Sequence, residues 1–160
     1  MITIRRAVAA DAQRIGAVFD AAVAHGWSYL GALAQAPMFP PEEWDREVRE
    51  HAPPKALLVA VNARDEIVGF TAIDPPNGEM YLLFVHPNAA GQGTGRALLD
   101  AAHEVLRAAG CREVFLYTDA RNARALAFYE AAGYRRDGTF REINFRGLHL
   151  REPRLVKKML

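Results

Sequence analysis

The sequence has a single cysteine, no long apolar run and no excess of charge of either sign. Cys111 has no partner for an internal disulfide, so we expect a reducing compartment, the cytoplasm. The 20 lysines and arginines nearly balance the 19 aspartates and glutamates, which gives no electrostatic reason to expect nucleic acid or a membrane surface as a partner. The apolar runs are far shorter than the roughly 20 residues of a membrane span, and residues 1–6 lack the pattern of a signal peptide.

Clustered metal ligands are also missing, because no set of histidine, cysteine and acidic residues has the spacing of a metal site. We therefore expect no metal. The chain does have 160 residues, of which 51% are hydrophobic, and this is enough for a globular domain with its own core. No repeat, low-complexity segment or long linker interrupts it, so we predict a single domain over residues 1–160.

The most informative segment follows a predicted strand over residues 79–85 and leads into a helix. It has glycines at alternate positions, Gly91, Gly93 and Gly95, followed by Arg96. Glycines allow tight turns and leave consecutive N–H groups free to face an anion at the positive end of a helix, so the segment is typical of a phosphate-binding loop. Arg96 stands where a dinucleotide fingerprint needs its third glycine and where a Walker loop needs its second, which excludes both. A simple flexible turn before the helix is the alternative.

A second motif lies about 30 residues downstream, over residues 122–134. It begins with an asparagine typical of a helix N-cap, has two adjacent aromatic residues in its middle and ends near a glycine typical of a helix C-terminus. Together the two segments resemble the GNAT superfamily of acyl-CoA-dependent N-acyltransferases. The downstream motif of that family matches at every fixed position, which are Asn122, Ala125, Phe128, Tyr129, Gly133 and Tyr134. The glycine motif matches at Gly93 and Gly95, whereas Ala90 replaces the usual glutamine or arginine.

The rest of the chain alternates strand and helix patterns in the order βααβββαβαββ, which is the GNAT arrangement. The resemblance implies an α/β (α+β) fold with a central mixed, mostly antiparallel sheet of about seven strands and helices on both faces. It also implies a splay between the strands at 79–85 and 112–118. The last two strands are predicted over residues 134–143 and 151–159.

The resemblance also assigns residues to acetyl-CoA, which would be a co-substrate. Backbone groups of Leu83, Phe84 and Val85 would hold the pantetheine arm. The pyrophosphate would lie among Gly91, Gln92, Gly93, Thr94, Gly95 and Arg96. The Arg96 side chain either adds a charge-assisted contact or is a solvated residue of the first helical turn. Asn122 and Phe128 are assigned to the cofactor as well, with helix capping and core packing as their alternatives.

Two residues are candidates for proton transfer. Tyr129 falls on the position of the family tyrosine that points at the cofactor sulfur, so it would protonate the departing thiolate; packing alone is the alternative. Glu79 lies eleven residues before Ala90, the spacing at which some family members carry a base glutamate. Strand alternation would place it on one face with Tyr81, Leu83 and Val85. It could equally be an exposed strand start.

The first third and the end of the chain would wall the acceptor pocket. The aromatic residues predicted to contact the acceptor are Trp27, Tyr29, Trp44 and Phe145, with His51, Glu142, Asn144 and His149 in the same two regions. The resemblance implies transfer of an acetyl group to a primary amine of a small molecule, or of a peptide, by direct attack in a ternary complex. A non-catalytic acyl-CoA-binding or sensing module is the alternative, and a homodimer is compatible with the sequence.

Overall fold

The computed structural model describes residues 1–159, and its strands form a seven-stranded sheet. The strands are β1 (Thr3–Arg6), β2 (Ala56–Val61), β3 (Ile67–Asp74), β4 (Glu79–Val85), β5 (Glu113–Tyr117), β6 (Arg135–Phe145) and β7 (Leu148–Lys158). The α-helices are α1 (Ala12–Gly26), α2 (Pro41–Glu50), α3 (Thr94–Ala108) and α4 (Ala123–Ala131). The sheet order is β1-β2-β3-β4-β5-β7-β6, and every neighbouring pair is antiparallel except β4 and β5. The predicted mixed, mostly antiparallel sheet is confirmed.

Helices cover both faces of the sheet, which confirms that part of the prediction. All six residues of β2 are buried, because alternate side chains enter the two halves of the core. On one face Ile15 and Phe19 of α1 pack with Phe70 of β3. On the other face Leu99 of α3 and Leu126 of α4 belong to a second buried cluster. Over residues 1–159, no helix combines the length and the apolar character that a membrane crossing requires.

The sheet opens between its two parallel strands, as predicted. A ladder pair joins β4 to β5 only at Glu79 and Phe115, and the strands then diverge. Their separation leaves backbone groups on the facing edge of β4 without a ladder partner from Met80 onward in the described chain. Such groups need another hydrogen-bonding partner, so the gap is suited to an extended ligand.

A bulge in β4 changes which side chains share a face. The register with β3 shifts between Met80 and Leu82, which leaves Tyr81 as the extra residue. Tyr81 consequently packs with the α1–α2 side of the core, whereas Leu83 and Val85 pack on the α3 side. The prediction that these three side chains share a face with Glu79 is therefore wrong, because regular alternation does not continue through a bulge.

The strands β6 and β7 are longer than predicted and form a hairpin. The sequence pattern left residues 144–150 as a loop, but only two residues, Arg146 and Gly147, connect the strands. Both have positive φ, 51° and 85°, as in a type I′ hairpin turn. The Asn144 side-chain oxygen accepts a hydrogen bond from the Gly147 N–H at 2.7 Å. An arginine in the left-handed region is uncommon, so the sequence carried little signal for this turn.

Trp44 is a core residue, 5% exposed, and its substitution should mainly affect stability. Its ring centroid lies 5.1 Å from that of Phe19 and 5.8 Å from that of Phe70. We expect Trp44→Ala to lower the free energy of unfolding by about 3–5 kcal/mol, measured by urea denaturation. Phe140→Ala is the control, because Phe140 is 52% exposed, and its loss should stay below about 1 kcal/mol. Equal losses for the two variants would contradict the core assignment.

Candidate functional site

A cleft of about 430 Å³ lies where β4, the glycine loop, α4 and the end of α1 meet. Eleven of the twelve residues assigned to the cofactor from the sequence line it. They are Leu83, Phe84, Val85, Gly91, Gly93, Thr94, Gly95, Arg96, Asn122, Phe128 and Tyr129. Gln92 is outside the lining, and its side-chain amide donates to the Asn88 carbonyl at 3.4 Å.

The glycine loop presents backbone to this cleft. Gly91 and Gly93 have φ values of 76° and 81°, which strongly favour glycine. Gly93 is the N-cap of α3 and supplies no side-chain cap, so the first N–H groups of the helix are left for a ligand. A Cβ added at Gly95 would lie 3.5 Å from the Phe128 ring and 3.8 Å from a Val85 methyl group. Glycine at this position therefore leaves the space between these side chains unfilled. This arrangement fits an anionic phosphate group.

Polar side chains around the loop differ in how far they are already engaged. The Thr94 hydroxyl is buried and has no hydrogen-bond partner within residues 1–159. Arg96 lines the cleft, but its Nε donates to Asp100 at 3.0 Å and its side chain is 61% exposed. Arg124, in the first turn of α4, also lines the cleft and was not assigned from the sequence. Its place two residues after the Asn122 cap, at the positive end of a helix, was the available signal.

A second cavity, of about 210 Å³, occupies the splay between β4 and β5. We call it the splay cavity. It shares six wall residues with the cleft, which are Trp27, Leu83, Phe84, Asn122, Ala125 and Tyr129. Its other walls come from the bulge of β4, the end of β5 and the β6–β7 hairpin. The two cavities therefore adjoin along these six residues.

Tyr129 lies in this shared wall. Tyr129 is 8% exposed, and its ring centroid lies 5.2 Å from that of Phe128 and 5.7 Å from that of Tyr134. No group in the described chain forms a hydrogen bond with the Tyr129 hydroxyl. Burial raises the pKa of Tyr129 above its usual value, so the phenol remains protonated at neutral pH. The arrangement provides a proton donor between the two cavities.

Asn122, also in the shared wall, caps α4. Its side-chain oxygen accepts a hydrogen bond from the Ala125 N–H at 3.1 Å. The predicted helix cap is therefore present, and the same residue borders both cavities. The cap fixes the start of the helix that carries Tyr129.

Glu79 lies outside the lining of both cavities. It sits at the one ladder pair that holds β4 to β5, before the splay begins. Burial raises the pKa of the Glu79 carboxyl, and the positive charge of Arg141 acts in the opposite direction. The carboxylates that line the splay cavity are instead Asp119 and Glu152, which were not assigned from the sequence.

Of the four aromatic residues predicted to contact an acceptor, Trp27 lines both cavities. The other three lie outside the linings of the cleft and the splay cavity. The Tyr29 hydroxyl donates to Asp119 at 3.1 Å, and burial raises the pKa of this tyrosine. Phe145 is buried edge-on against Trp27, with ring centroids 5.5 Å apart. Trp44 belongs to the core and to the wall of a third cavity, of about 190 Å³, which shares Tyr81 and Leu82 with the splay cavity.

The end of the chain contributes Arg141, Ile143 and Glu152 to the splay cavity. The expected wall residues on the same hairpin are elsewhere, because strand alternation turns them away from the cavity. The Glu142 carboxylate lies 3.3 Å from His149 Nε2 at the surface, and the Asn144 side chain accepts a hydrogen bond in the hairpin turn. His51, expected near the acceptor, stacks on Tyr81 with ring centroids 5.5 Å apart. Within residues 1–159, no three histidine, cysteine or acidic side chains are grouped as metal ligands.

Known structures share this fold over nearly the whole chain. One is a GNAT superfamily phosphinothricin acetyltransferase from Sinorhizobium meliloti, solved with acetyl-CoA. It superposes with a TM-score of 0.79 at 20% sequence identity, and the match covers 99% of this chain and 88% of that protein. Another is the yncA putative acetyltransferase from Salmonella typhimurium, solved with acetyl-CoA, with a TM-score of 0.76 at 19% sequence identity. This match covers 99% of this chain and 94% of that protein. At these identities the similarity establishes the fold, and the predicted GNAT fold is confirmed.

Sequence similarity is confined to part of the chain. A mycothiol acetyltransferase from Beutenbergia cavernae is 52% identical over 61 residues, which are 38% of this chain and 20% of that protein. The chain spans only about a fifth to a third of the length of the curated relatives it matches. The model of the acetyltransferase (GNAT) family matches residues 23–134. This range extends from the end of α1 to Tyr134, which follows α4 and Gly133. Since this match extends over more than half of the sequence, the chain belongs to the GNAT acetyltransferase family.

Proposed function

We propose that this protein transfers an acetyl group from acetyl-CoA to a primary amine of a small molecule. The observation that carries the proposal is the position of Tyr129, a protonated phenol in the wall shared by the cleft and the splay cavity. In this reading the cleft receives the cofactor and the splay cavity receives the acceptor. Acetyl-CoA in the structures of the Sinorhizobium and Salmonella proteins supports the choice of donor.

Cofactor binding follows from the loop and the free edge of β4. The left-handed Gly91 and Gly93 and the uncapped start of α3 offer N–H groups to the pyrophosphate, and Arg124 adds a cation. The free backbone groups of residues 83–85 are suited to the amides of the pantetheine arm. Acetyl-CoA, when bound, supplies an activated acyl group.

The chain's own groups then serve the transfer. Tyr129, which burial keeps in its protonated form, donates a proton to the departing sulfur. The amine attacks directly, because the adjoining cavities bring both substrates to one wall. A covalent enzyme intermediate is not required, and Cys111 lies outside both cavity linings, with its thiol directed to the Pro75 carbonyl at 3.3 Å.

The splay cavity has a volume of only about 210 Å³, so it fits a compact amine better than a peptide. Curated relatives named mycothiol acetyltransferase are consistent with a small-molecule acceptor. The lone cysteine is consistent with a reaction in the cytoplasm. Peptide amines are the second class of acceptor to be tested.

Calorimetric titration with acetyl-CoA tests the donor, with dephospho-CoA and adenosine as controls. We expect micromolar binding of acetyl-CoA and weak or no binding of adenosine. A panel of alkylamines, amino acids and peptides is then monitored by release of free CoA. Absence of acetyl-CoA binding would reject the proposal. Binding without CoA release for any amine would favour the non-catalytic acyl-CoA-binding module.

A further inference from the structure

Glu152 of β7 lines the splay cavity, and one of its carboxylate oxygens has no hydrogen-bond partner in the described chain. Its Oε1 accepts a hydrogen bond from Arg141 Nε at 2.7 Å, and its side chain is only 10% exposed. Its Oε2 has no hydrogen-bond partner within the described residues. A carboxylate so deeply buried is costly unless donors satisfy it. The free Oε2 is not enclosed by protein, so it can accept a hydrogen bond from a donor that arrives with a ligand.

The other carboxylates near the cavity are engaged or turned away. Both oxygens of Asp119 already accept hydrogen bonds, Oδ2 from the Tyr29 hydroxyl at 3.1 Å and Oδ1 from the Arg121 N–H at 3.1 Å. The Arg121 guanidinium also pairs with Asp119 at 3.3 Å. Glu79 lies outside the cavity lining. Glu152 is thus the carboxylate that combines burial, access to the splay cavity and a free acceptor oxygen.

We propose that Glu152 binds the acceptor ammonium group through Oε2 and is the general base of the transfer. This inference rests on the proposed acetyl transfer to a primary amine. The reacting nitrogen loses two protons, which Glu152 takes in turn and passes to solvent. The nitrogen–carbon bond forms as the carbon–sulfur bond breaks, and the sulfur gains a proton from Tyr129. Tyr129 regains one proton from solvent, so one proton is released for each ammonium acetylated.

Arg141 positions Glu152 for this task. Its guanidinium lies over the Tyr117 ring, 4.2 Å from the centroid, while its Nε holds Glu152 Oε1. The pair fixes one carboxylate oxygen and leaves the other directed to the ligand. The charged and titratable groups around Glu152 are Tyr29, Glu79, Tyr117, Asp119, Arg121 and Arg141.

The charges around Glu152 favour a cationic acceptor. Two carboxylates, those of Asp119 and Glu152, line the splay cavity together with one guanidinium, that of Arg141. The acceptor end therefore has an excess negative charge. We accordingly expect alkylamines without an acidic group to be better acceptors than amino acids of similar size.

The test compares wild type, Glu152→Gln and Glu142→Gln with one alkylamine that the wild type acetylates. A lysine-like amine has a pKa of about 10.4 and is almost fully protonated near neutrality. With its base in place, the wild type should show a flat kcat between about pH 6 and pH 9. Glu152→Gln should lower kcat at pH 7 by about 10²–10⁴, and its kcat should rise roughly tenfold for each pH unit, since the amine must first lose its proton to solvent.

Glu142→Gln is the control, because it removes an exposed carboxylate from a neighbouring position of the same hairpin. This variant should keep the flat dependence of kcat on pH. Glu152→Asp retains a carboxylate and should lower kcat while preserving the flat profile, which a structural role would not explain. Acetyl-CoA affinity within a few fold of wild type shows that a variant is folded. A flat, wild-type profile for Glu152→Gln, or the same loss from Glu79→Gln instead, would overturn the assignment. If wild type acetylates no amine at all, the proposed function itself fails.

Discussion

Tyr129→Phe is expected to lower kcat by about 10²–10⁴ while leaving the acetyl-CoA dissociation constant within a few fold of wild type. The substitution removes one hydroxyl from the wall between the two cavities and keeps the ring that packs on Phe128 and Tyr134. Since no protein group in the described chain bonds to that hydroxyl, its loss breaks no internal hydrogen bond. Steady-state kinetics and calorimetry with acetyl-CoA separate the two effects.

Tyr134→Phe is the matched control. Tyr134 is fully buried, and its hydroxyl pairs with His103 Nε2 at 2.7 Å, away from both cavity linings. Its loss should cost about 1 kcal/mol of stability and leave kcat within a few fold. Equal kcat for Tyr129→Phe and wild type would assign Tyr129 to packing alone.

The pH dependence of the wild type follows from the same tyrosine. Burial raises the pKa of Tyr129 above the value of a free phenol, which is about 10. The protonated form of Tyr129 therefore persists to a higher pH. Loss of the Tyr129 proton therefore should not lower kcat below about pH 10. A fall in kcat between about pH 8 and pH 9 that disappears in Tyr129→Phe would contradict the raised pKa of Tyr129.

The fold was predictable from the sequence because its signals are local. Alternating apolar residues marked the strands, and the caps at Asn122 and Gly133 marked the ends of α4. The two features that were missed, the β4 bulge at Tyr81 and the turn at Arg146, have no distinctive local signal. A bulge depends on how one strand pairs with another, and pairing is not written in the residues of one strand alone.

The two halves of the site differed in the same way. The lining of the cleft was predictable because backbone conformation creates it, and glycine spacing reports that conformation directly. The splay cavity brings Asp119, just after β5, together with Arg141 and Glu152 of the hairpin. The register of β6 and β7 pairs Arg141 with Glu152, and the pairing of β5 with β7 brings Asp119 beside them. Without that register, alternate positions such as Glu142 were equally plausible.

Gly95→Val should weaken acetyl-CoA binding at least about a hundredfold, which corresponds to about 2.7 kcal/mol. A valine there would place its Cβ 3.5 Å from the Phe128 ring and direct its methyl groups into the cleft. Gly95 has no positive φ and lies in the first turn of α3, so the substitution fills space without forcing the backbone. Calorimetric titration with acetyl-CoA measures the effect.

A graded series distinguishes filling of the cleft from disturbance of the helix. Gly95→Ala adds only the Cβ, at ordinary contact distance from Phe128, and should weaken binding by less than about tenfold. Ala108→Val introduces the same β-branched side chain at an exposed position of α3, far along the helix from the loop, and should leave binding unchanged. Because helix propensity changes in both valine variants, a loss confined to position 95 reports on the cleft itself. Wild-type affinity in Gly95→Val would mean that acetyl-CoA does not bind over the start of α3.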